Sequence, residues 1–361
     1  MKYYMIAGEA SGDLHASNLI KALCQQDVET SIRAWGGDLM EASGAVLAKH
    51  IKELAFMGFA EVIMNLSTIL GNIKYCKKDI LAWKPDALIL VDYPGFNLRI
   101  AKLAKKRGIK VIYYISPQIW AWHESRVHQI KENVDLMLVI LPFEKAFYKK
   151  YGYDVHFVGH PLLDVISLTA PESIVKKTIA LLPGSRKQEI KKMLPEMLNI
   201  CKYFGEYDFA LACAPAIQDE FYDKYLLDYP QVKRFKGKTY NLLKNAHAAL
   251  ATSGTATLET ALFGVPQVVC YKGGKLSYLI AKILIKIKYI SLVNLIMDEE
   301  VVKELIQDEM NEKNLKSELQ KVLNDNNRLQ IESKYHILRQ KLGDQGASMR
   351  AAVKIVNFLV K

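Results

Sequence analysis

A chain of 361 residues, half of them hydrophobic, is long enough for two domains with sizeable cores and too apolar for a disordered chain. Its formal charge of +11 is spread along the sequence with few interleaved aromatics. That pattern suits a phosphorylated ligand or an anionic membrane and argues against a nucleic-acid groove.

The opening MKYYMIAGEASGD enters a strand and turn at once, which predicts no signal peptide. Tyr3 to Ala7 reads as a strand, the small residues through Ser11, Gly12 and Asp13 as a loop, and Leu14 to Leu23 as a helix. A strand, a glycine-bearing loop and a helix begin a doubly wound α/β domain. GxGxxG is absent and no GKS or GKT follows, so neither a dinucleotide fingerprint nor a P-loop is present. The loop is expected instead to approach a second domain or an acceptor.

From Met57 to Asn72, Phe59, Val62, Ile63, Leu66, Ile69 and Leu70 fall at helical spacing opposite a face with little charge. Two readings stand: a helix packed between layers, or an apolar surface that meets lipid. Ala87 to Val91 is a continuous apolar strand of the buried parallel kind, ending at Asp92. A carboxylate at that end lies where open α/β sheets bind ligands, although Asp92 could also cap the next helix. After a strand at Lys110 to Ile115, Trp120 and Trp122 suit a sugar or acyl face, or serve as core anchors. Lone His160 reads as structural.

A polar stretch with Pro171, between Asp164 and Lys177, marks a linker, and the cycle then restarts. Strand Thr178 to Leu182 runs into Pro183-Gly184-Ser185-Arg186, where Arg186 could hold a phosphate oxygen or join a surface salt bridge. Strand Ala248 to Ala251 leads through Thr252, Ser253 and Gly254 into a helix from Thr255, with Glu259 one turn in. Cap-type residues at a helix head favour an anion, and a carboxylate one turn along suits a diphosphate followed by a ribose diol. The alternative is an ordinary, well-capped βαβ turn. Leu276 to Leu292 reads as a basic amphipathic helix whose Lys282, Lys286 and Lys288 prevent a membrane span. Glu299 to Lys361 reads as helical throughout, with breaks at Gly343 and Gly346. The five cysteines show no CxxC or His–Cys spacing, which points to reduced thiols.

Two α/β lobes, the second with a helix head prepared for a diphosphate, give the plan of a GT-B glycosyltransferase. The chain resembles the lipid-A-disaccharide synthase family through GEASGD (Gly8 to Asp13), VDYPGFN (Val91 to Asn97), SPQIWAW (Ser116 to Trp122) and LPFEKAFY (Leu141 to Tyr148). VGHP (Val158 to Pro161), LLPGSR (Leu181 to Arg186), SGTATLE (Ser253 to Glu259) and YISLVNLI (Tyr289 to Ile296) continue the family's order. Each is weak alone; together and in order they are specific.

The resemblance implies an inverting transfer of 2,3-diacylglucosamine from UDP to 2,3-diacylglucosamine 1-phosphate (lipid X), releasing UDP, at the cytoplasmic face of a Gram-negative inner membrane. It implies Asp92 as base, with Arg186 and Asn294 functional. Together with the residue reading it gives a UDP site of Arg186, Ser253, Gly254, Thr255, Glu259 and Asn294. An acceptor side of Ser11, Gly12, Asp13 and Trp120 and a lipid face of Phe59, Val62, Ile63, Leu66 and Ile69 complete the set. Domains are expected over 1–165 and 166–343, with 344–361 packing back on a first domain, its own or that of a second copy in a homodimer. Tyr93-Pro94-Gly95 and Val293 depart from the family pattern, which bears on acceptor detail. No DxD motif stands at a strand end, so neither a metal nor another cofactor is indicated. The rivals are a transferase on a lipid-linked peptidoglycan precursor, a UDP-sugar 2-epimerase, and a non-catalytic lipid- or nucleotide-binding protein.

Overall fold

The computed structural model describes residues 1–53, 66–166, 177–274 and 287–360. They form two compact units, one of Met1–Val165 with Leu342–Lys361 and the other of Ile166–Lys341.

The first unit holds a seven-stranded parallel sheet in the order β3-β2-β1-β4-β5-β6-β7. Its strands are β1 (Lys2–Ala7), β2 (Ser31–Gly36), β3 (Val46–His50), β4 (Ala87–Val91), β5 (Lys110–Tyr114), β6 (Leu136–Val139) and β7 (His156–Phe157). All five side chains of β4 are fully buried, because a parallel strand covered on both faces needs apolar residues at every position. The strand order reverses between β1 and β4, where Ala7 pairs with Val91. The segments from Gly8 and from Asp92 therefore leave side by side at the switch point, where such sheets offer a crevice.

The second sheet is also parallel, in the order β10-β9-β8-β11-β12-β13. It comprises β8 (Thr178–Leu182), β9 (Asp208–Cys213), β10 (Lys233–Lys236), β11 (Ala246–Thr252), β12 (Gln267–Tyr271) and β13 (Glu304–Ile306). Alternation puts Ile179, Leu181, Leu211 and Leu250 into one core and Ala180, Ala210, Ala249 and Ala251 into the other. Leu182 pairs with Ala251, so the turns after β8 and β11 also emerge together.

Several expectations change. The first helix spans Ala10–Gln26, so Ser11, Gly12 and Asp13 sit in its opening turns and not in a loop. Gly12 serves close packing there, since a Cβ would stand 3.3 Å from that of Ala7. The stretch after Glu299 is not wholly helical: Glu304–Ile306 is an edge strand on β12, too short to show a period. Of the expected basic helix, residues 275–286 lie outside the described residues, and the helix that follows begins only at Leu292. Phe59, Val62 and Ile63 also lie outside them, as does the Leu66 side chain. The described helix Leu66–Trp83 leaves Ile69 half-buried and Leu70 exposed, and buries Ile73, Cys76 and Ile80. All five cysteines are free thiols. No helix among the described residues is long and apolar enough to cross a membrane.

Candidate active site

At the first switch point Asp92 and Tyr93 both have left-handed backbones, with φ of 45° and 49°. Two consecutive non-glycine residues in that region cost energy and persist only where their surroundings hold them. The Asn97 amide donates to the carbonyls of Asp92 (2.7 Å) and Val91 (3.3 Å), and the Tyr113 hydroxyl donates to the same Asp92 carbonyl. Tyr93 lays its ring over Gly8, where a Cβ would fall 2.4 Å from it, and stacks on Phe96 at 5.6 Å. The following helix, Pro94–Lys106, has Tyr93 at its N-cap and no side-chain cap, so Asp92 does not serve as one. Asp92 keeps some exposure. Enclosure by protein and then the nearby Glu9 carboxylate push its acid constant up to about 6, against a smaller opposing pull from the Tyr93 N–H. Asn97, Tyr113 and Glu9 belong to this arrangement; Asn97 and Glu9 lie inside the VDYPGFN and GEASGD motifs, whereas nothing in the local pattern marked Tyr113.

Asp13 is engaged within its own unit. Buried to 4% exposure, it accepts the N–H groups of Gly37 (2.7 Å), Met40 (3.1 Å) and Leu39 (3.2 Å), tying the first helix to the turn after β2. Whatever it does toward an acceptor, it has this structural role, with both oxygens accepting backbone donors. Ser11 is exposed. Trp120 is likewise a core anchor, edge-on to Phe143 at 4.9 Å, whereas Trp122 is 49% exposed. His160 is buried and held neutral, pushed down to about 3 by loss of solvent and then by His15.

In the second unit Gly254 is the N-cap of helix Thr255–Leu262, with φ of 142°, and no side chain caps that head. The expected caps are engaged or turned away: Ser253 Oγ donates to the Ile290 carbonyl at 2.9 Å, and Thr252 Oγ1 is buried without a partner. Thr255 is exposed, and a Cβ on Gly254 would meet nothing within 4 Å. The head is thus an open set of backbone N–H donors. One turn on, Glu259 accepts the Tyr240 hydroxyl at 2.8 Å. Burial raises the Glu259 acid constant, and the Tyr240 hydrogen bond partly offsets that. Arg186 is the N-cap of helix Lys187–Asn199, half-exposed, and its Nη1 lies 3.1 Å from Glu189 Oε1. Glu189 Oε2 accepts the N–H groups of Ser185 (3.2 Å) and Arg186 (3.3 Å), so one carboxylate ties down the Ser185–Arg186 end of the turn.

Asn294 is fully buried. Its amide donates to the Val302 carbonyl (2.8 Å) and Glu304 Oε1 (2.9 Å), and its oxygen accepts the N–H groups of Val301 (2.9 Å) and Val302 (3.0 Å). Direct ligand contact does not fit that geometry, since each polar atom already has its partners. Asn294 instead ties helix Leu292–Met297 to β13, and Glu304 also receives the N–H groups of Ile290 and Ser291, each at 2.9 Å. Among the described residues, no group of three or more His, Cys, Asp and Glu side chains could hold a metal.

The model of the family described as lipid-A-disaccharide synthetase matches residues 3–356. The lipid-A-disaccharide synthase of Syntrophus aciditrophicus is 40% identical over 99% of this chain and 97% of its own. That of Nitrosococcus oceani is 40% identical over 94% and 92%. Among solved structures, the glycotransferase of kitacinnamycin aligns with a TM-score of 0.71 at 14% identity, over 99% of each chain, which is a likeness of fold. With two parallel α/β sheets, ordered strand-end motifs and relatives matched end to end, the chain belongs to the lipid-A-disaccharide synthase family of glycosyltransferases.

Proposed function

We propose that Asp92 is the general base in the transfer of 2,3-diacylglucosamine from its UDP conjugate to lipid X. The observation that carries this is the carboxylate of a half-buried aspartate at the β1/β4 switch point, on a locked left-handed turn, with an acid constant raised to about 6. A base of that strength is ionised at neutral pH yet accepts a sugar hydroxyl proton better than an ordinary aspartate. Asn97 and Tyr113 hold its backbone, and Trp122 in place of Trp120 offers the exposed ring for the acceptor. Ser11 and Gly12 line the same strand-end region.

The departing UDP needs its charge stabilised. The open N–H groups at Gly254 and Thr255 suit the diphosphate, and Arg186, swinging from Glu189, adds a charged donor. Glu259, presented by Tyr240, suits the ribose diol. Ser253 and Asn294 shape this site without touching the ligand.

Both substrates carry acyl chains, so the enzyme works at a membrane surface, in this reading the cytoplasmic face of the inner membrane. The Phe59, Val62, Ile63, Leu66 and Ile69 face and the lysine row at 282, 286 and 288 are the proposed contacts. A homodimer completes the proposal. The test is to mix UDP-diacylglucosamine with lipid X and follow UDP release. The wild type should release UDP only with both present, and Asp92→Asn should not. Release by Asp92→Asn at more than a tenth of the wild-type rate would remove the base assignment.

A further inference from the structure

The Asp92 turn rests on a column of aromatic rings. Tyr93 stacks on Phe96 at 5.6 Å and 25°, and Phe96 packs on Trp35 at 5.1 Å and 35°. Phe96 lies in the first turn of helix Pro94–Lys106 and Trp35 near the end of β2, 4% and 0% exposed. Tyr4 pairs with Arg33 and Ile6 with Trp35 across β1 and β2, so Tyr4, Arg33 and Trp35 share one face of the sheet. Asp79, on helix Leu66–Trp83, meets them there.

These groups form one continuous chain of hydrogen bonds. Trp35 Nε1–H donates to the Tyr4 hydroxyl at 2.9 Å, and that hydroxyl donates to Asp79 Oδ2 at 2.7 Å. Arg33 donates to both Asp79 oxygens, each at 2.8 Å. A bidentate charged pair thus anchors the far end, and each step orients the next. An indole pinned at its N–H cannot turn without breaking that bond, so it presents Phe96 with a ring of fixed tilt. At the near end, Asn97 and Tyr113 hold the Asp92 carbonyl, but the Tyr93 side chain is placed by Phe96 and by the absence of a Cβ at Gly8. The left-handed φ of Tyr93 makes that support necessary.

We propose that Phe96 and Trp35 are positioning residues for the base: the column from the Arg33–Asp79 pair through Tyr4, Trp35, Phe96 and Tyr93 fixes the turn that aims the Asp92 carboxylate. This rests on the reading of Asp92 as base. Buried as they are, Phe96 and Trp35 act through Tyr93 and not on the substrate.

The experiment follows UDP release by the full chain from UDP-diacylglucosamine and lipid X across pH. Phe96→Leu keeps apolar bulk and removes the flat ring, while Trp35→Phe keeps a ring and removes the indole N–H. Each should lower kcat about ten- to a hundredfold, the scale of a slight misplacement of a reacting group. UDP affinity by calorimetry should not change. Enclosure is the main cause of the raised Asp92 acid constant, ahead of Glu9. A loosened turn should therefore move the acid limb of kcat/KM for the acceptor from about 6 toward the ordinary aspartate value of about 3.9. The other ionisable group facing Asp92 is Tyr113, which burial keeps neutral.

In an Asp92→Asn background the same substitutions should cost no more than about twofold further, since no base is left to aim. Wild-type kcat and acid limb in either folded variant, or equal losses in both backgrounds, overturn the proposal. Trp35→Phe carries the test if Phe96→Leu does not fold. The premise is separable. If Asp92→Asn keeps more than a tenth of the wild-type rate, the base reading itself fails. If Asp92→Asn loses the rate and folded Phe96→Leu does not, only the column fails.

Discussion

Asp164 and Ser348, 184 residues apart, are joined by two hydrogen bonds: Asp164 Oδ2 accepts the Ser348 N–H at 2.9 Å and its hydroxyl at 2.7 Å. Oδ1 of the same carboxylate takes the N–H groups of Gly346 (2.7 Å) and Ala347 (3.1 Å). The head of the last helix, Ala347–Val360, is thus capped by an acid from the end of the first unit's main segment. That helix buries Ala347, Ala351, Ala352 and Ile355 completely. Asp164→Ala should destabilise the protein by roughly 2 kcal/mol or more, the cost of a lost cap with charged hydrogen bonds. Denaturant unfolding measures it, and a change below about 0.5 kcal/mol would show the helix docked by apolar contact alone.

Asp92→Asn should lower turnover by about 10²–10⁴-fold with the fold intact. In the wild type, activity should fall as pH drops through about 6, because the carboxylate takes up its proton there. The residual rate of the asparagine variant should lack that fall. A pH–rate profile of both proteins decides the matter.

Glu259→Ala should weaken UDP binding by roughly 1.5–3 kcal/mol, the range for a hydrogen bond to a charged group. Arg186→Ala should chiefly lower turnover, since its charge is needed as UDP departs. Calorimetry with UDP separates the two, and unchanged affinity in Glu259→Ala would exclude a ribose contact.

A methyl group at Gly8 has no room, because it would fall 2.4 Å from the Tyr93 ring. Gly8→Ala should displace Tyr93 and loosen the Asp92 turn, at a cost of about 1–3 kcal/mol from overpacking. A fall in activity larger than the change in thermal midpoint explains would place the effect in that turn. Wild-type activity would show that Tyr93 can move aside freely.

His15 and His160 are buried, with acid constants pushed down by desolvation to about 4 and about 3. Unfolded, both titrate at an ordinary value near 6.5. The folded state therefore binds fewer protons than the unfolded one below that value, and stability is lost as pH falls. By pH 5 the loss should reach about 2 kcal/mol for each histidine. Urea unfolding at pH 7 and pH 5 measures it, and His160→Gln should halve the difference if the variant folds.

The sequence by itself determined the parallel α/β character of both units and the positions of their strand-end motifs. Runs such as Ala87 to Val91 and Ala248 to Ala251 are apolar at every residue, too short for a buried helix and closed by turn residues, as in a sheet covered on both faces, so local composition carries the answer. The pairings were decided in three dimensions. Asp13 reads like a ligand-loop acid until Gly37, Leu39 and Met40 arrive to occupy it, and Asn294 until Val301, Val302 and Glu304 do. Trp120 and Trp122 differ by two positions in one motif, yet one is buried against Phe143 and the other exposed. Periodicity is a property of neighbours along the chain. Whether a polar group meets a ligand or a backbone donor depends on partners brought from other elements, and only folding places those.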